Sequence, residues 1–355
     1  MSLIQQSLKR INYLFVVDGP YLSDNVEVMQ RLYEAIQEHT QELELVYHPS
    51  APSKLQGIIL PQVKLAILSS TPDNVVPYEH HLGSVTLLNL YDYYDTDLIS
   101  VNQDLIDELT TAIIEKHQEA YRGYEKALAI HDDWEKIYIG QSNFQVANEF
   151  ALQLAQKLIP DRVADSTSFD AQNEAKEPIY RFLGAATPQG AVDFVPILTE
   201  GLKRYLIKGR PGSGKSTLLR KLLARGTQLG YELEVYQCGL DPKSLDMIIC
   251  RELGFAIFDS TAPHQYEPTE ETDVVIDMYE ITIAPQTDER FKDKLQQISS
   301  AYRAQMDISN AALSQAAQLD NKRAKLTKST LQLEQLRLSE QSIINHIKQL
   351  LEQAE

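Results

Sequence analysis

The sequence predicts an α/β chain of two tandem parallel-sheet domains, each followed by a long helical hairpin. Three observations carry this reading: an internal repeat, apolar strands alternating with helices in both copies, and a tail without glycine or proline. The repeat is direct. Pro52 to Thr71 and Pro242 to Thr261 align without a gap at an offset of 190, with eight of twenty positions identical. Composition alone would give about one match. The likeness extends outward, with ELELVY (Glu42 to Tyr47) against YELEVY (Tyr231 to Tyr236) and LLNLYD (Leu87 to Asp92) against VIDMYE (Val275 to Glu280). Such a pattern is the mark of an ancient duplication.

Each copy opens on an apolar strand, Leu14 to Val17 or Tyr205 to Lys208. A glycine-containing turn and a helix follow, at about Val26 to His39 and Lys215 to Leu229. Second strands are expected at Leu43 to Tyr47 and Leu233 to Gln237. Third strands are expected at Leu65 to Leu68 and Phe255 to Phe258, and fourth runs at Val85 to Tyr91 and Val274 to Tyr279. Strands alternating with helices argue for a parallel sheet covered on both faces. The third strands are continuous apolar runs, as buried parallel strands are.

Helix then closes each copy. Gln286 to Glu355 has neither Gly nor Pro, and as one helix it would be about 105 Å long. A hairpin turning near Asp320-Asn321 is the more economical expectation. The first copy supports it: Leu105 to Trp134 and Phe144 to Leu158 flank Gly140-Gln141-Ser142-Asn143, with Ser142 or Asn143 as N-cap. Leu331, Leu333, Leu336, Ile343, Ile344, Ile347, Leu350 and Leu351 approximate an apolar stripe, for packing on the chain itself or on a partner. The expected domains are 1–160, a polar linker 161–178, and 179–355.

Composition narrows the function. The 355 residues carry fifty acids and thirty-three bases, a net charge of −17, which argues against a general grip on nucleic-acid backbones. Cys238 and Cys250 are too few for a disulfide framework or a zinc site and read as small core residues. The N-terminus lacks the apolar core of a signal peptide, and no 18-residue apolar run exists. The expectation is a cytoplasmic chain without membrane insertion.

Gly209-Arg210-Pro211-Gly212-Ser213-Gly214-Lys215-Ser216, followed by Thr217, fits G-x-x-x-x-G-K-[ST] between a strand and a helix. Chance gives this pattern in roughly one chain in a hundred. Glycines let backbone N–H groups approach phosphates, and the helix N-terminus adds partial positive charge. Lys215 can reach the β- and γ-phosphates of ATP or another NTP, and the Ser216 hydroxyl can ligate Mg²⁺. Arg210 pairs with phosphate or faces solvent. Lys203 to Arg225 holds eight bases and no acid, whereas Asn12 to Glu34 holds one base and four acids. In that first copy, aligning Pro20 with Pro211 sets Asp24 against Lys215 and Tyr21 against Gly212, so its phosphate site is lost. Phe255-Ala256-Ile257-Phe258-Asp259 is an apolar strand ending in a carboxylate, the Walker B pattern that orders Mg²⁺. Its counterpart in the first copy is Ser69.

RYLIKGRPGSGKST, DPKSLDM and DSTAPH, in a duplicated layout, resemble a poorly characterised bacterial family of tandem P-loop proteins often labelled ATPase or nucleotide kinase. The resemblance implies P-loop NTPase-like halves and nucleotide binding. That family commonly carries a P-loop in both halves, and Asp18 to Asn25 departs from it.

The reaction is less fixed. Ser260, not Glu, follows Asp259. Asp241 and Asp246, past the second strand, are candidates for a base or substrate anchor beside Lys215 and Asp259; Asp241-Pro242 also reads as a turn opener and Asp246 as a surface residue. His264 belongs to the carboxyl edge of the sheet, where such folds bind ligands, or is an ordinary loop histidine. Trp134 and Tyr138 are expected to staple the first hairpin. The reading is an Mg-ATP-dependent ATPase or small-molecule kinase with one site, in the second copy, acting on an unknown small-molecule or protein partner. The alternative is a nucleotide-gated binding or scaffold protein with little turnover.

Overall fold

A computed structural model gives the structure of the protein. It describes residues 8–40, 42–48, 51–72, 74–78, 83–162, 176–241 and 243–353. Residues 1–7, most of the expected linker (163–175) and Pro242 lie outside the described residues. By contacts the chain divides into two compact units: Met1–Ala120 with Asn310–Glu355, and Tyr121–Ser309.

In chain order the first sheet is made of β1 (Tyr13–Asp18), β2 (Glu44–His48), β3 (Ala51–Leu60), β4 (Leu65–Ser70) and β5 (Ser84–Asn89), with helix α1 (Leu22–Ile36) after β1. Helix α2 (Gln103–Ile139) starts in the first unit and ends in the second, where α3 (Phe144–Leu158) follows. The second unit continues with β6 (Ile179–Phe182), the hairpin β7 (Gly184–Thr187) and β8 (Gly190–Asp193), then β9 (Lys203–Lys208) and α4 (Lys215–Gln228). There follow β10 (Glu234–Gln237), β11 (Leu245–Cys250), β12 (Phe255–Asp259), β13 (Val274–Asp277) and the short helix α5 (Met278–Thr282). Helix α6 (Lys292–Thr327) starts in the second unit and ends in the first, and α7 (Leu333–Glu352) completes the first.

The sheets are mixed, which corrects the all-parallel expectation. Their orders are β2-β3-β4-β1-β5 and β13-β9-β12-β11-β10-β6. Read in equivalent strands they are the same arrangement, with β6 added at the edge of the second. β1 is parallel to β4 and β5, and β9 to β12 and β13. β3 and β11 are antiparallel to both neighbours. The reason is loop length. Only residues 61–64 join β3 to β4, and only 251–254 join β11 to β12. A parallel return needs a dozen residues or more. Both short turns end on a left-handed residue at the same repeat position, Lys64 (φ 51°) and Gly254 (φ 67°). Local pattern does not mark Pro52 to Ile59 or its copy as strands, because a strand that turns straight back has no helix to announce it.

Alternation along β1 divides the first core. Phe15 and Val17 face α1 and α7, whereas Leu14 and Val16 pack with Leu8, Ile11 and Val76. In the second unit Tyr205 and Ile207 of β9 join α4 and α3, and Leu206 joins Leu183, Met247, Ile249 and Phe258.

The terminal helices depart from two simple hairpins. α6 runs without interruption past Asp320, which pairs with Arg323 (2.8 Å) and Lys54 (3.7 Å); the break comes at Lys328–Thr330. Nothing local requires it there. Gln332 N–H donates to the Tyr93 carbonyl and Asp95 N–H to the Thr330 carbonyl, both 2.8 Å. The second unit repeats this device: Asn143 N–H donates to the Thr282 carbonyl (2.7 Å) and Ala284 N–H to the Gln141 carbonyl (3.0 Å). Asn143 is the N-cap of α3, accepting from Val146 N–H. Each sheet is therefore covered by a helix from the other repeat. Leu336, Ile343, Ile344, Ile347 and Leu351 of α7 enter the first core. Ala151, Leu154, Ala155 and Leu158 of α3 enter the second, at the i, i+3, i+4, i+7 spacing of one helix face. Each fully buried Leu or Ile contributes about 1.5–3 kcal/mol. No described helix is long and apolar enough to cross a membrane.

Candidate functional site

The residues singled out in the second repeat meet at the carboxyl ends of β9 and β12. Tyr205-Leu206-Ile207 is buried, so the chain emerges at Lys208 with its direction fixed. Six residues, 209–214, then cross to Lys215, the first residue of α4. Gly212 (φ 75°) and Gly214 (φ 91°) take left-handed conformations that a Cβ would strain. A Cβ on Gly212 would also lie 2.8 Å from the carbonyl oxygen of Glu135, on α2. The first turn of α4 has neither an acidic residue nor a side-chain cap, so the N–H groups that such a cap would take remain available to an anion. Ser213 N–H donates to the Arg210 carbonyl (3.1 Å), and the Thr282 hydroxyl donates to the Ser213 carbonyl (3.1 Å). The Ser213 Oγ is buried with no hydrogen-bond partner, an orphaned polar atom inside the loop that costs free energy as it stands.

The structure brings Lys215 and Asp259 together. Lys215 Nζ donates to the Arg210 carbonyl (3.0 Å) and lies 3.5 Å from Asp259 Oδ2. Asp259 Oδ1 accepts from Thr261 N–H (3.0 Å) and the Thr261 hydroxyl (2.6 Å). Ser216 Oγ accepts from Leu245 N–H (3.2 Å), tying the first turn of α4 to the start of β11. The Ser213, Ser216, Lys215 and Asp259 side chains are a donor set suited to phosphate and a hard divalent cation. Pro211 is half-buried and Thr217 exposed.

Among the acids beyond Asp259, Asp241 caps its own turn, accepting from Lys243 N–H (3.0 Å). Asp246 is not a surface residue. It is 6% exposed, and burial together with the nearby Asp259 charge pushes its carboxyl up to about 6. The Cys238 thiol beside it is pushed up to about 12, mainly by burial and then by Asp246; Cys250 is buried, and both cysteines are free. His264 Nδ1 lies 2.7 Å from Asp193 Oδ2. Arg210 pairs with Asp288 (2.8 Å), which also accepts from the Tyr138 hydroxyl (2.8 Å).

The basic run is largely spoken for. Of its eight bases, Arg204, Lys208, Arg210, Lys215 and Arg225 pair with Asp273, Glu267, Asp288, Asp259 and Asp161. The local positive field is thus much smaller than composition suggests.

The first unit has closed the same place. Ser69 is paired with Val17 as Asp259 is with Ile207, so the two are register equivalents. Only residues 19–21 separate β1 from α1, three fewer than in the second unit. Asp24 lies in the first turn of α1, 3% exposed, accepting from the Tyr94 hydroxyl, and burial raises its carboxyl. The Asn25 amide donates to the Val17 carbonyl (3.1 Å), Ser69 Oγ (3.0 Å) and the Ser70 carbonyl (2.8 Å). An amide plug thus bridges the strand ends that Lys215 and Asp259 bridge in the second unit.

Sequence reading missed what α2 brings. His131, Asp132 and Glu135 offer ligand atoms within 4.8 Å of one another. Burial lowers the proton affinity of His131, with Glu135 opposing and Lys215 assisting, which sets this turn of α2 beside the loop. Trp134 and Tyr138 do not staple the first hairpin: Trp134 packs on Tyr302 and Tyr138 on Tyr279. An i, i+4 His/Glu pair was the signal available, and it is too common on helices to single out. Neither a protein-family model, nor a curated protein, nor a solved structure matches the chain.

Proposed function

We propose that the second unit binds Mg-ATP on a P-loop, Gly209 to Ser216, and catalyses phosphoryl transfer from it, as an ATPase or a small-molecule kinase; the resemblance to tandem P-loop proteins belongs to this proposal. One observation carries it. The glycine-rich loop leads into an uncapped helix whose first residue, Lys215, stands 3.5 Å from Asp259 at the end of the adjacent parallel strand. Three groups suited to polyphosphate and metal thus converge from one strand pair. Lys215 and the loop N–H groups would hold phosphate. Ser216 and Asp259 would hold Mg²⁺, which neutralises phosphate charge when bound.

A nucleotide titration of Lys215→Ala tests the reading. The substitution removes a charge-assisted contact of about 1.5–3 kcal/mol, or roughly 10- to 150-fold in affinity. Unchanged affinity would remove this loop as the phosphate site. A nucleotide-gated scaffold is the second reading. Ser260, where many ATPases place Glu, is turned away from catalysis: its hydroxyl donates to the Tyr266 carbonyl (2.9 Å) and accepts from Tyr266 N–H (3.0 Å). Binding without phosphate release would favour that scaffold.

A further inference from the structure

We propose that His264, held by Asp193, is the proton acceptor for the oxygen that attacks the γ-phosphate of ATP; this rests on the nucleotide-binding reading above. Ser260, where many ATPases place Glu, is engaged by Tyr266 as both donor and acceptor, so that position supplies no base. His264 follows Asp259 by five residues in the same loop, and Asp259 and Asp246 are both close enough to act on its charge.

The imidazole is fixed rather than free. Asp193, at the end of β8, uses Oδ2 for His264 Nδ1 (2.7 Å) and Oδ1 for the Tyr266 hydroxyl and Val195 N–H. The His264 and Asp193 side chains are 12% and 8% exposed. A carboxylate on Nδ1 selects the tautomer with its proton there and leaves the Nε2 lone pair as acceptor. Nε2 makes no hydrogen bond among the described residues. Burial pushes the Asp193 carboxyl up, but the bonds from His264 and Tyr266 bring it below its usual value, so it stays ionised.

The two repeats supply an internal control. His264 N–H donates to the Thr261 carbonyl (2.8 Å), and Asn74 N–H donates to the Thr71 carbonyl (2.9 Å). The same turn therefore places Asn74 where His264 stands, 190 residues apart. The repeat that lost the lysine and the strand-end aspartate has, at this position, an amide that cannot take a proton. A purely structural histidine has no reason to follow the phosphate site.

In the step itself, an O–H proton of water passes to Nε2 as that oxygen forms its bond to the γ-phosphorus. The bond from phosphorus to the β–γ bridging oxygen breaks, and its electron pair leaves on ADP.

The test measures MgATP binding and phosphate release into water on the full chain. His264→Gln is expected to bind MgATP within about threefold of wild type while release falls by roughly 10²- to 10⁴-fold. Wild-type release should rise with pH as His264 loses its proton, because only neutral His264 accepts one, and His264→Gln should lack that limb. Burial lowers the proton affinity of His264 and the Asp193, Asp246 and Asp259 carboxylates raise it further, to a net increase. Asp193→Asn should therefore move the limb to lower pH as well as slow release. Imidazole in the buffer should restore part of the activity of His264→Ala. Wild-type release from His264→Gln, no rescue of His264→Ala, or a wild-type protein that binds MgATP and never releases phosphate would each overturn the assignment. A wild-type protein that does not bind MgATP would instead overturn the nucleotide reading beneath it.

Discussion

Asp246 stands at the start of β11 with its carboxyl lifted from 3.8 to about 6. Between those values the folded protein holds a proton that the unfolded chain releases. Its contribution to stability is therefore complete below about pH 4 and is lost as pH rises through about 6. Asp246→Asn removes the charge that burial disfavours. Urea unfolding should show the variant more stable than wild type by roughly 1–3 kcal/mol at about pH 7.5, and equal to it at about pH 4. A loss of stability at neutral pH would mean that the ionised carboxylate has a partner that the fold depends on. The sequence showed Asp246 only as one of two acids past a strand; its burial comes from β11 turning back against β12, a strand that local pattern did not announce.

Among the elements, loop length is what the proposed phosphate site depends on. Restoring the two side chains by Asp24→Lys and Ser69→Asp is expected to leave one nucleotide per chain in a calorimetric titration. The three-residue loop and the Asn25 amide still fill the place of the six-residue cradle. A second binding event would show that side-chain identity alone had closed the site. The exchanged helices give a second expectation. Glu340 of α7 is 3% exposed and bonded twice by Arg31 of α1, at 2.6 and 2.9 Å. Arg31→Met leaves that carboxylate buried alone and should destabilise the first unit by about 1–3 kcal/mol, moderated because Arg31 is itself partly exposed. Adding Glu340→Leu should recover most of the loss. Additive losses in the double variant would mean that the pair holds α7 by geometry rather than by cancelling charge.

For the whole molecule, the exchange separates chain order from folding unit. The second unit is the contiguous segment Tyr121–Ser309, whereas the repeat boundary near residue 179 leaves α3 and the end of α2 behind. A fragment of residues 121–309 is expected to fold and bind one MgATP. Residues 179–355 are not, since they lack Ala151, Leu154, Ala155 and Leu158 from the core around α4. Circular dichroism and calorimetry on both fragments check this. A folded, nucleotide-binding 179–355 fragment would show that α3 covers the sheet without being needed for it.

Legible in the chain alone were the repeat, the central strands with their order, the glycine-rich loop, and the absence of its lysine and aspartate counterparts from the first repeat. Those features are written in local spacing: apolar runs, the spacing of glycines, and identities at a fixed offset. The structure alone decided the direction of β3 and β11, because four-residue turns forbid a parallel return. It also decided the end of α6, which Tyr93 to Asp95 set by pairing with residues more than 230 positions away. Partners were hidden for the same reason. His264 and Asp193 lie 71 residues apart, and Arg31 and Glu340 lie 309 apart. Nothing within one helix turn or strand repeat records such pairs, since the chain carries period and composition, whereas contact between distant segments exists only once the sheets have ordered and the helices have covered them.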